Sequence, residues 1–284
     1  MFVWSKLSSP KWADAWEERF SGGHPGQLVI TESPNKKMIR LELYCPEEKG
    51  AEAVQKEFGG TIRRLKNQNW AALQPEPPPP VKIRDQLVVC SGRTDAECRA
   101  MREQHPGREV LFVPADMAFG TGHHATTATM LRFICDIAQE RRRAKTVWTL
   151  ADLGCGSGIL AIAARRLGAS VCWGCDFDPA AVRVAKENAE RNATPEVPFE
   201  EVDVLKWKPK RRYDVVVANL FSTILIEAYP TIGKVVAPGG IVLLSGILNT
   251  QADECLAAAE ASGLKIQRRV RVGKWVTAWT EAPI

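Results

Sequence analysis

The residues best placed to do chemistry lie in two neighbouring stretches of the chain. Gly154, Gly156 and Gly158 follow one short apolar segment, and Asp176 ends a second one that lies beyond an intervening predicted helix. Both segments have the composition of buried parallel strands. Glycines let the backbone turn tightly against a ligand, and a carboxylate at the tip of the second strand can accept hydrogen bonds from both hydroxyls of a ribose. The spacing therefore predicts a β-turn-α-β unit that binds a nucleoside.

The glycine spacing distinguishes this turn from other nucleotide-binding turns. A dinucleotide site has the pattern G-x-G-x-x-G, but Ile159 interrupts it here, and the chain contains no G-x-x-x-x-G-K-[ST] for a triphosphate. The run D-x-G-x-G-x-G from Asp152 to Gly158 resembles the first motif of class I S-adenosylmethionine-dependent methyltransferases. The alternative is a tight strand-to-helix turn that binds no ligand.

Three further features fall where predicted strands end or a helix begins. Asn219 directly follows an apolar strand, and a buried amide needs hydrogen-bond partners. Asp203 ends the strand before that one, where it could contact an adenine amino group or simply be a surface acid. Residues 119–127, Phe-Gly-Thr-Gly-His-His-Ala-Thr-Thr, place two glycines and two threonines before a helix, which suits a carboxylate or hydroxyl ligand. An ordinary glycine turn with a threonine cap is the alternative for this last segment.

The elements on either side divide the chain into two domains. Residues 2–65 follow the order β-α-β-β-α-β, which is the ferredoxin-like pattern. Residues 74–80, Gln-Pro-Glu-Pro-Pro-Pro-Pro, predict a semi-rigid spacer because proline lacks the backbone donor. We expect a small α+β domain at 1–74, a proline-rich linker at 75–84 and an α/β domain at 85–284, in which strands and helices alternate.

Composition narrows the class of protein. The 284 residues, 45% hydrophobic and 25% charged, can bury a large core, and the net charge of +5 does not by itself indicate a nucleic-acid partner. No apolar run is long enough to span a membrane. The eight cysteines are expected to be buried free thiols of a cytoplasmic protein. No metal site is expected at Cys172-x-x-Cys175 or at His123-His124, because a tetrahedral site needs further ligands.

Several blocks together resemble one family, the bacterial ribosomal protein L11 methyltransferases. The matching blocks are F-G-T-G-x-H-x-T-T at 119–127, D-L-G-C-G-S-G at 152–158, D-F-D-P at 176–179, V-V-V-A-N at 215–219 and S-G-I-L at 245–248. The resemblance covers roughly residues 84–284 and implies a Rossmann-like seven-stranded methyltransferase sheet. It also implies that Thr127, Gly154, Asp176 and Asn219 contact S-adenosylmethionine, and that the N-terminal domain recognises a ribosomal protein. The chain departs from the family pattern at Ala125, at Phe221-Ser222 and before Phe119.

The resulting hypothesis is methylation of lysine or α-amino nitrogens. Since the sulfonium of the cofactor is an excellent leaving group, the protein has mainly to position a neutral amine, and Asn219 is the candidate catalytic residue. The complete set of candidate cofactor-binding residues is Thr127, Gly154, Gly156, Asp176, Asn219, Asp203, Phe119 and Gly120. We expect a ribosomal protein as partner, no requirement for nucleic acid, and a monomer. The alternatives are a related methyltransferase acting on another protein, such as an electron-transfer flavoprotein subunit, or on a small molecule, and a non-catalytic module that binds S-adenosylmethionine or the ribosome.

Overall fold

The chain separates into two compact units, residues 1–76 and 77–284. The computed structural model describes residues 2–13, 16, 20, 27–32, 38–64, 79–91, 94–114, 122 and 124–284. No helix within these ranges has both the length and the apolar character needed to cross a membrane.

The N-terminal unit is built on a four-stranded antiparallel sheet with the order β2-β3-β1-β4. Its elements are β1 (Phe2–Ser8), β2 (Gln27–Glu32), β3 (Ile39–Cys45), α1 (Glu48–Phe58) and β4 (Thr61–Arg64). Alternate residues of β3 are buried, and Ala51 and Val54 of α1 pack with them around Trp4. Residues 9–20 predict the first helix, of which the structure describes residues 9–13, 16 and 20, with Pro10–Trp12 as a 3₁₀ helix. The complete ferredoxin-like order therefore stays a prediction.

The second unit begins with a small three-stranded sheet formed by β5 (Val81–Ile83), β6 (Leu87–Cys90) and β7 (Glu109–Phe112). The prediction put residues 81–83 in the linker, but they pair antiparallel with β6. Their alternation of apolar and polar residues is too short to separate a strand from an extended spacer by sequence alone. Residues 74–78 of the proline-rich segment lie outside the described residues, and the predicted division at 74 and 84 stays a prediction.

The predicted seven-stranded sheet is confirmed, in the order β10-β9-β8-β11-β12-β14-β13. Its strands are β8 (Thr149–Leu153), β9 (Val171–Asp176), β10 (Phe199–Glu201), β11 (Tyr213–Asn219), β12 (Val236–Leu248), β13 (Lys265–Val272) and β14 (Trp275–Glu281). The first five in spatial order are parallel. The two runs on either side of Gly273-Lys274 predict an antiparallel closing pair, and β13 and β14 form it. The strand order reverses between β8 and β11, which is where open α/β sheets bind ligands.

Helices cover both faces of this sheet. The helices of this unit are α2 (Asp95–Gln104), α3 (Ala125–Ala144), α4 (Ile159–Arg166), α5 (Pro179–Arg191), α6 (Ser222–Val235) and α7 (Ala252–Ala261). Of these, α2 packs on the small three-stranded sheet and the others on the large sheet. Val215 and Val217 of β11 contribute to the core that contains α3, α4 and α5, whereas Val216 and Ala218 contribute to the core that contains α6 and α7. A strand buried on both faces reads as a continuous apolar run. That is why this segment was identifiable as a central strand.

Two local predictions had different outcomes. The run Thr94-Asp95-Ala96-Glu97 predicts a capping box at the start of a helix, and α2 begins with one. The Thr94 hydroxyl accepts from the Glu97 amide at 3.2 Å, and the Glu97 carboxylate accepts from the Thr94 amide at 3.1 Å. Pro238-Gly239-Gly240 predict a turn between a helix and a strand that begins at Ile241, but the structure places these three residues inside β12. Between two neighbouring pairs along β11, the partner in β12 jumps from Val236 to Ile241, so the Pro-Gly-Gly segment bulges out of one long strand.

A close backbone contact ties β12 to the residue that follows β11. The amide of Leu220 donates to the carbonyl of Ser245 at 3.0 Å. Gly246 has φ +83°, and a Cβ on it would overlap the backbone of Leu220. Only glycine fits a left-handed position with a neighbouring backbone this close. Gly246 therefore sets how near the end of β11 lies to β12.

Replacing Gly246 by alanine should lower the free energy of unfolding by about 2–4 kcal/mol, from left-handed strain plus displacement of Leu220. Gly273→Ala is the matched control, because Gly273 has φ +59° but a Cβ added to it would meet nothing within 4 Å. The control should lose only about 1–2 kcal/mol. Urea denaturation of both variants measures the difference. Equal losses would show that the contact with Leu220 does not constrain this position.

Candidate functional site

The carboxyl ends of β8, β9 and β11 form the base of the site. These strands are neighbours in the sheet, with β8 between the other two. Gly154 follows β8, Asp176 ends β9 and Asn219 ends β11. Parallel pairing brings the three ends to one edge.

The glycine turn is tied to β9 by its own backbone. The amides of Gly154 and Cys155 both donate to the carbonyl of Cys175, each at 2.8 Å. Gly154 has φ +73°, and a Cβ there would overlap the side chain of Leu220. The turn therefore lies against the residue that follows β11, and no larger residue could replace Gly154 without moving it.

Asp176 fixes the other end of the turn. Its Oδ2 accepts a hydrogen bond from the Gly156 amide at 2.9 Å, and its Oδ1 accepts one from the Asp178 amide at 3.1 Å. The residue is 9% exposed, so its carboxylate is held in place but can still be reached. An ionised carboxylate can accept about four hydrogen bonds. The remaining capacity matches the two hydroxyls of a ribose.

Two buried polar atoms at this edge have no partner in the described part of the chain. They are Oδ1 of Asn219 and Oγ1 of Thr127, a residue only 1% exposed near the start of α3. The Nδ2 of Asn219 donates to Oγ1 of Thr126 at 3.3 Å. Leaving a buried polar atom unpaired costs about 1–3 kcal/mol, so such atoms commonly mark a ligand's place.

Asp152 lies beneath the turn. It is fully buried; its Oδ2 accepts from the Ala161 amide at 3.3 Å, and its Oδ1 has no partner among the described residues. Burial raises the pKa of Asp152 to about 7; the bond from Ala161 opposes this rise, and the negative charge of Asp176 adds to it. Burial in the folded protein therefore disfavours the ionised form of Asp152.

Two exposed phenylalanines border the edge. Phe177 follows Asp176 and is 76% exposed, and Phe221 immediately precedes α6 and is 53% exposed. Sequence reasoning noted Phe221 only as a departure from a family pattern and assigned no role to Phe177. The available signal was an aromatic residue one or two positions after a strand that ends in a polar side chain.

Three predicted site residues remain, and the structure describes one of them, Asp203. Oδ1 of Asp203 accepts from the Leu205 amide at 3.0 Å, and its Oδ2 lies 2.8 Å from Nζ of Lys206. The Lys206 ammonium holds the pKa of Asp203 below its usual range. Phe119 and Gly120 lie outside the described residues, so their predicted contacts stay predictions. Within the described ranges, no three His, Cys, Asp or Glu side chains are grouped as metal ligands would be.

Comparison with known proteins assigns the chain to a family. The sequence profile of the family described as ribosomal protein L11 methyltransferase (PrmA) matches residues 32–282. A ribosomal protein L11 methyltransferase of Chromohalobacter salexigens is 37% identical over 208 residues, which are 72% of this chain and 64% of that relative. The one of Dechloromonas aromatica is 33% identical over 251 residues, 85% of this chain and 78% of that relative. The chain thus spans less than two thirds of the first relative's length.

A solved structure has the same fold. The crystal structure of a ribosomal protein L11 methylase from Lactobacillus delbrueckii subsp. bulgaricus superposes with a TM-score of 0.59 at 24% identity. The superposition covers 72% of this chain and 99% of that one. The fold is therefore that of a known methylase, while the roles of individual residues rest on the geometry above.

The buried charge of Asp152 predicts a pH dependence of stability. Its pKa is about 7 in the folded protein against an ordinary value of 3.8, so between these values the folded state binds a proton that the unfolded state has lost. Stability should fall as pH rises through this window and level off above about 7. In Asp152→Asn this contribution to the slope should disappear.

Urea midpoints across a pH series, measured without added ligand, test this expectation. Asp253→Asn is the matched control because its carboxylate is 91% exposed; it should keep the wild-type profile. A wild-type slope retained in Asp152→Asn would mean that another group is responsible.

Proposed function

The chain belongs to the ribosomal protein L11 methyltransferase family, and we propose that it transfers methyl groups from S-adenosylmethionine to lysine or α-amino nitrogens of a ribosomal protein. The observation that carries this proposal is the family match over residues 32–282, which includes the edge where Asp176 and Asn219 meet the glycine turn. Membership of this family favours a ribosomal protein, most simply L11, as the substrate over a flavoprotein subunit or a small molecule. A ribosomal substrate would place the enzyme in the cytoplasm.

The residues present fit S-adenosylmethionine. Asp176 would hold the two ribose hydroxyls, since its carboxylate has spare acceptor capacity. The unpartnered hydroxyl of Thr127 and the turn containing Gly154 and Gly156 would hold the amino-acid portion. Phe177 offers an exposed aromatic face beside the ribose position for a purine ring.

Three more residues are proposed for the same ligand. Asp203 would accept from the adenine amino group; its location after β10, next to β9, is the support for this assignment. Phe119 and Gly120 belong to the segment that leads to Thr127, and the sequence pattern is their support.

The chemistry required of the protein is modest. The bound cofactor supplies a methyl group on a positively charged sulfur, which is already a reactive electrophile. The chain has to present an uncharged amine, because an ammonium has no lone pair. Leu220 and the exposed ring of Phe221, next to Asn219, would reduce contact of the amine with water, and desolvation lowers the pKa of an amine. The unpartnered Oδ1 of Asn219 would accept one of its hydrogens and orient its lone pair.

Substrate recognition is assigned to the N-terminal domain. We place that domain at 1–74, followed by the proline-rich linker and then the catalytic domain, to which β5 belongs because it pairs with β6. The support is the family pattern and the small separate sheet and core of the first unit. The enzyme would act as a monomer and would need no nucleic acid to bind its substrate.

Labelled methyl transfer to purified L11 tests the proposed function. The full chain, incubated with methyl-labelled S-adenosylmethionine and L11, should produce L11 whose mass increases in steps of one methyl group at lysine or the N-terminus. Mass spectrometry locates the sites. A second reaction with whole lysate covers the alternatives. A labelled product other than a ribosomal protein would redirect the substrate assignment, and no labelled product would leave only a binding module.

Asp176→Ala should weaken binding of S-adenosylmethionine at least about 100-fold in calorimetry, because two charge-assisted hydrogen bonds are lost together with an anchor of the turn. Asp178→Ala is the matched control from the same motif. The side chain of Asp178 accepts from the Ala180 amide at 2.8 Å and caps α5, so its loss should reduce stability by about 1 kcal/mol with affinity nearly unchanged. Near-normal affinity in Asp176→Ala would remove this residue from the binding site.

A further inference from the structure

Three polar side chains connect the start of α3 to the tip of β11. His124 is the N-cap residue of α3, and its Nδ1 lies 2.7 Å from Oγ1 of Thr126. Oγ1 of Thr126 in turn lies 3.3 Å from Nδ2 of Asn219. Thr126 is 1% exposed, so its bonds are not shared with bulk water. Neither His124 nor Thr126 was among the predicted site residues.

The direction of every bond in this chain is determined by one backbone amide. The amide of Thr126 also lies within hydrogen-bond distance of His124 Nδ1, at 3.4 Å, and a backbone N–H can only donate. Nδ1 must therefore carry a lone pair. The hydroxyl of Thr126 consequently donates its single proton to Nδ1, which leaves Oγ1 only as an acceptor toward Asn219.

The imidazole is itself held in place by β14. The ring of His124 stands edge-on to the ring of Trp275, with centroids 5.1 Å apart and planes at 68°. Such edge-to-face contacts are favourable and orient both rings. The acceptor that begins the chain of hydrogen bonds is therefore positioned by packing as well as by the helix cap.

The consequence concerns the amide of Asn219. Since Oγ1 of Thr126 can only accept, Asn219 has to present its NH₂ group to it, and a flipped amide would set two oxygen lone pairs against each other. Its Oδ1 is then turned away from Thr126, and this atom is buried without a partner in the described ranges.

We propose that His124 and Thr126 are positioning residues that fix the amide of Asn219 with its carbonyl oxygen toward the substrate, so that the site selects a hydrogen-donating amine. This inference rests on the proposed methyl transfer. A free amide could rotate and offer NH₂ groups, which cannot accept a hydrogen from the incoming nitrogen. The fixed amide offers only an acceptor and so favours nitrogen nucleophiles that carry N–H.

Isosteric variants of Thr126 test the proposal. Thr126→Val keeps the shape and removes the hydroxyl, so kcat should fall on the order of tenfold to a hundredfold while the Kd for S-adenosylmethionine changes less than about threefold. Asn219→Ala should show the same split. Thr126→Ser restores the hydroxyl and should recover most of the loss. Thr129→Val is the control, since Thr129 lies on the same helix, is 3% exposed and donates only to the Ala125 carbonyl, at 2.8 Å, among the described contacts.

A second measurement separates failure of this inference from failure of the proposed function. The side-chain amide signals of Asn219 in a ¹H–¹⁵N spectrum, assigned by their loss in Asn219→Asp, should shift in Thr126→Val and stay unchanged in Thr129→Val. If Thr126→Val does not fold, His124→Leu, which removes the acceptor of the hydroxyl proton, takes its place. Wild-type kcat in Thr126→Val would overturn the proposal. If the wild type transfers no methyl group, the amide spectrum alone decides. Asn219 amide signals that are the same in Thr126→Val and Thr129→Val would then overturn the proposal.

Discussion

The hydrogen bond from the Gly156 amide to the Asp176 carboxylate is the interaction on which the site depends. At 2.9 Å it joins the turn after β8 to the tip of β9. The amides of Gly154 and Cys155 also bind the Cys175 carbonyl of β9. The turn and the carboxylate of Asp176 therefore cannot move independently of each other. A carboxylate placed by backbone donors needs no further reorganisation when it accepts from a ligand. The turn therefore holds Asp176 in position and also forms part of the wall of the site.

Two positions at the same edge have to be glycine because a side chain there would overlap Leu220. Leu220 packs against Gly154 on one side and against Gly246 on the other, and a Cβ at either glycine would overlap it. The glycine of the turn after β8 and the glycine of the S-G-I-L block are therefore two parts of one contact, although 92 positions separate them along the chain. This contact determines how closely the end of β11, and with it Asn219, approaches the turn.

The sequence was sufficient for the parts of the structure that depend on local pattern. Apolar runs, caps and glycines located the strands of the large sheet, and the positions of Gly154, Asp176 and Asn219 at strand ends followed from them. Contacts that depend on side-chain conformation were not predictable in this way. The link from Asn219 to Thr126 joins residues 93 positions apart, and the pairing of Asp203 with Lys206 depends on the turn between them. The bulge at 238–240 was misread because proline and glycine mark a turn and a bulge equally well.

The arrangement of unpaired polar atoms connects stability with function. Five buried side-chain atoms lack a partner within the described ranges, and three of them belong to Asp152, Thr127 and Asn219, around the edge where the strands end. Each such atom destabilises the free protein by about 1–3 kcal/mol. Thr127 and Asn219 can recover this loss when a ligand supplies a donor or an acceptor, and a ligand that binds only the folded state stabilises it. Asp152 is different, since it is fully buried beneath the turn and pairs with the α4 backbone. Its partial loss of charge near neutral pH limits the penalty that the fold would otherwise bear for an acid at that position.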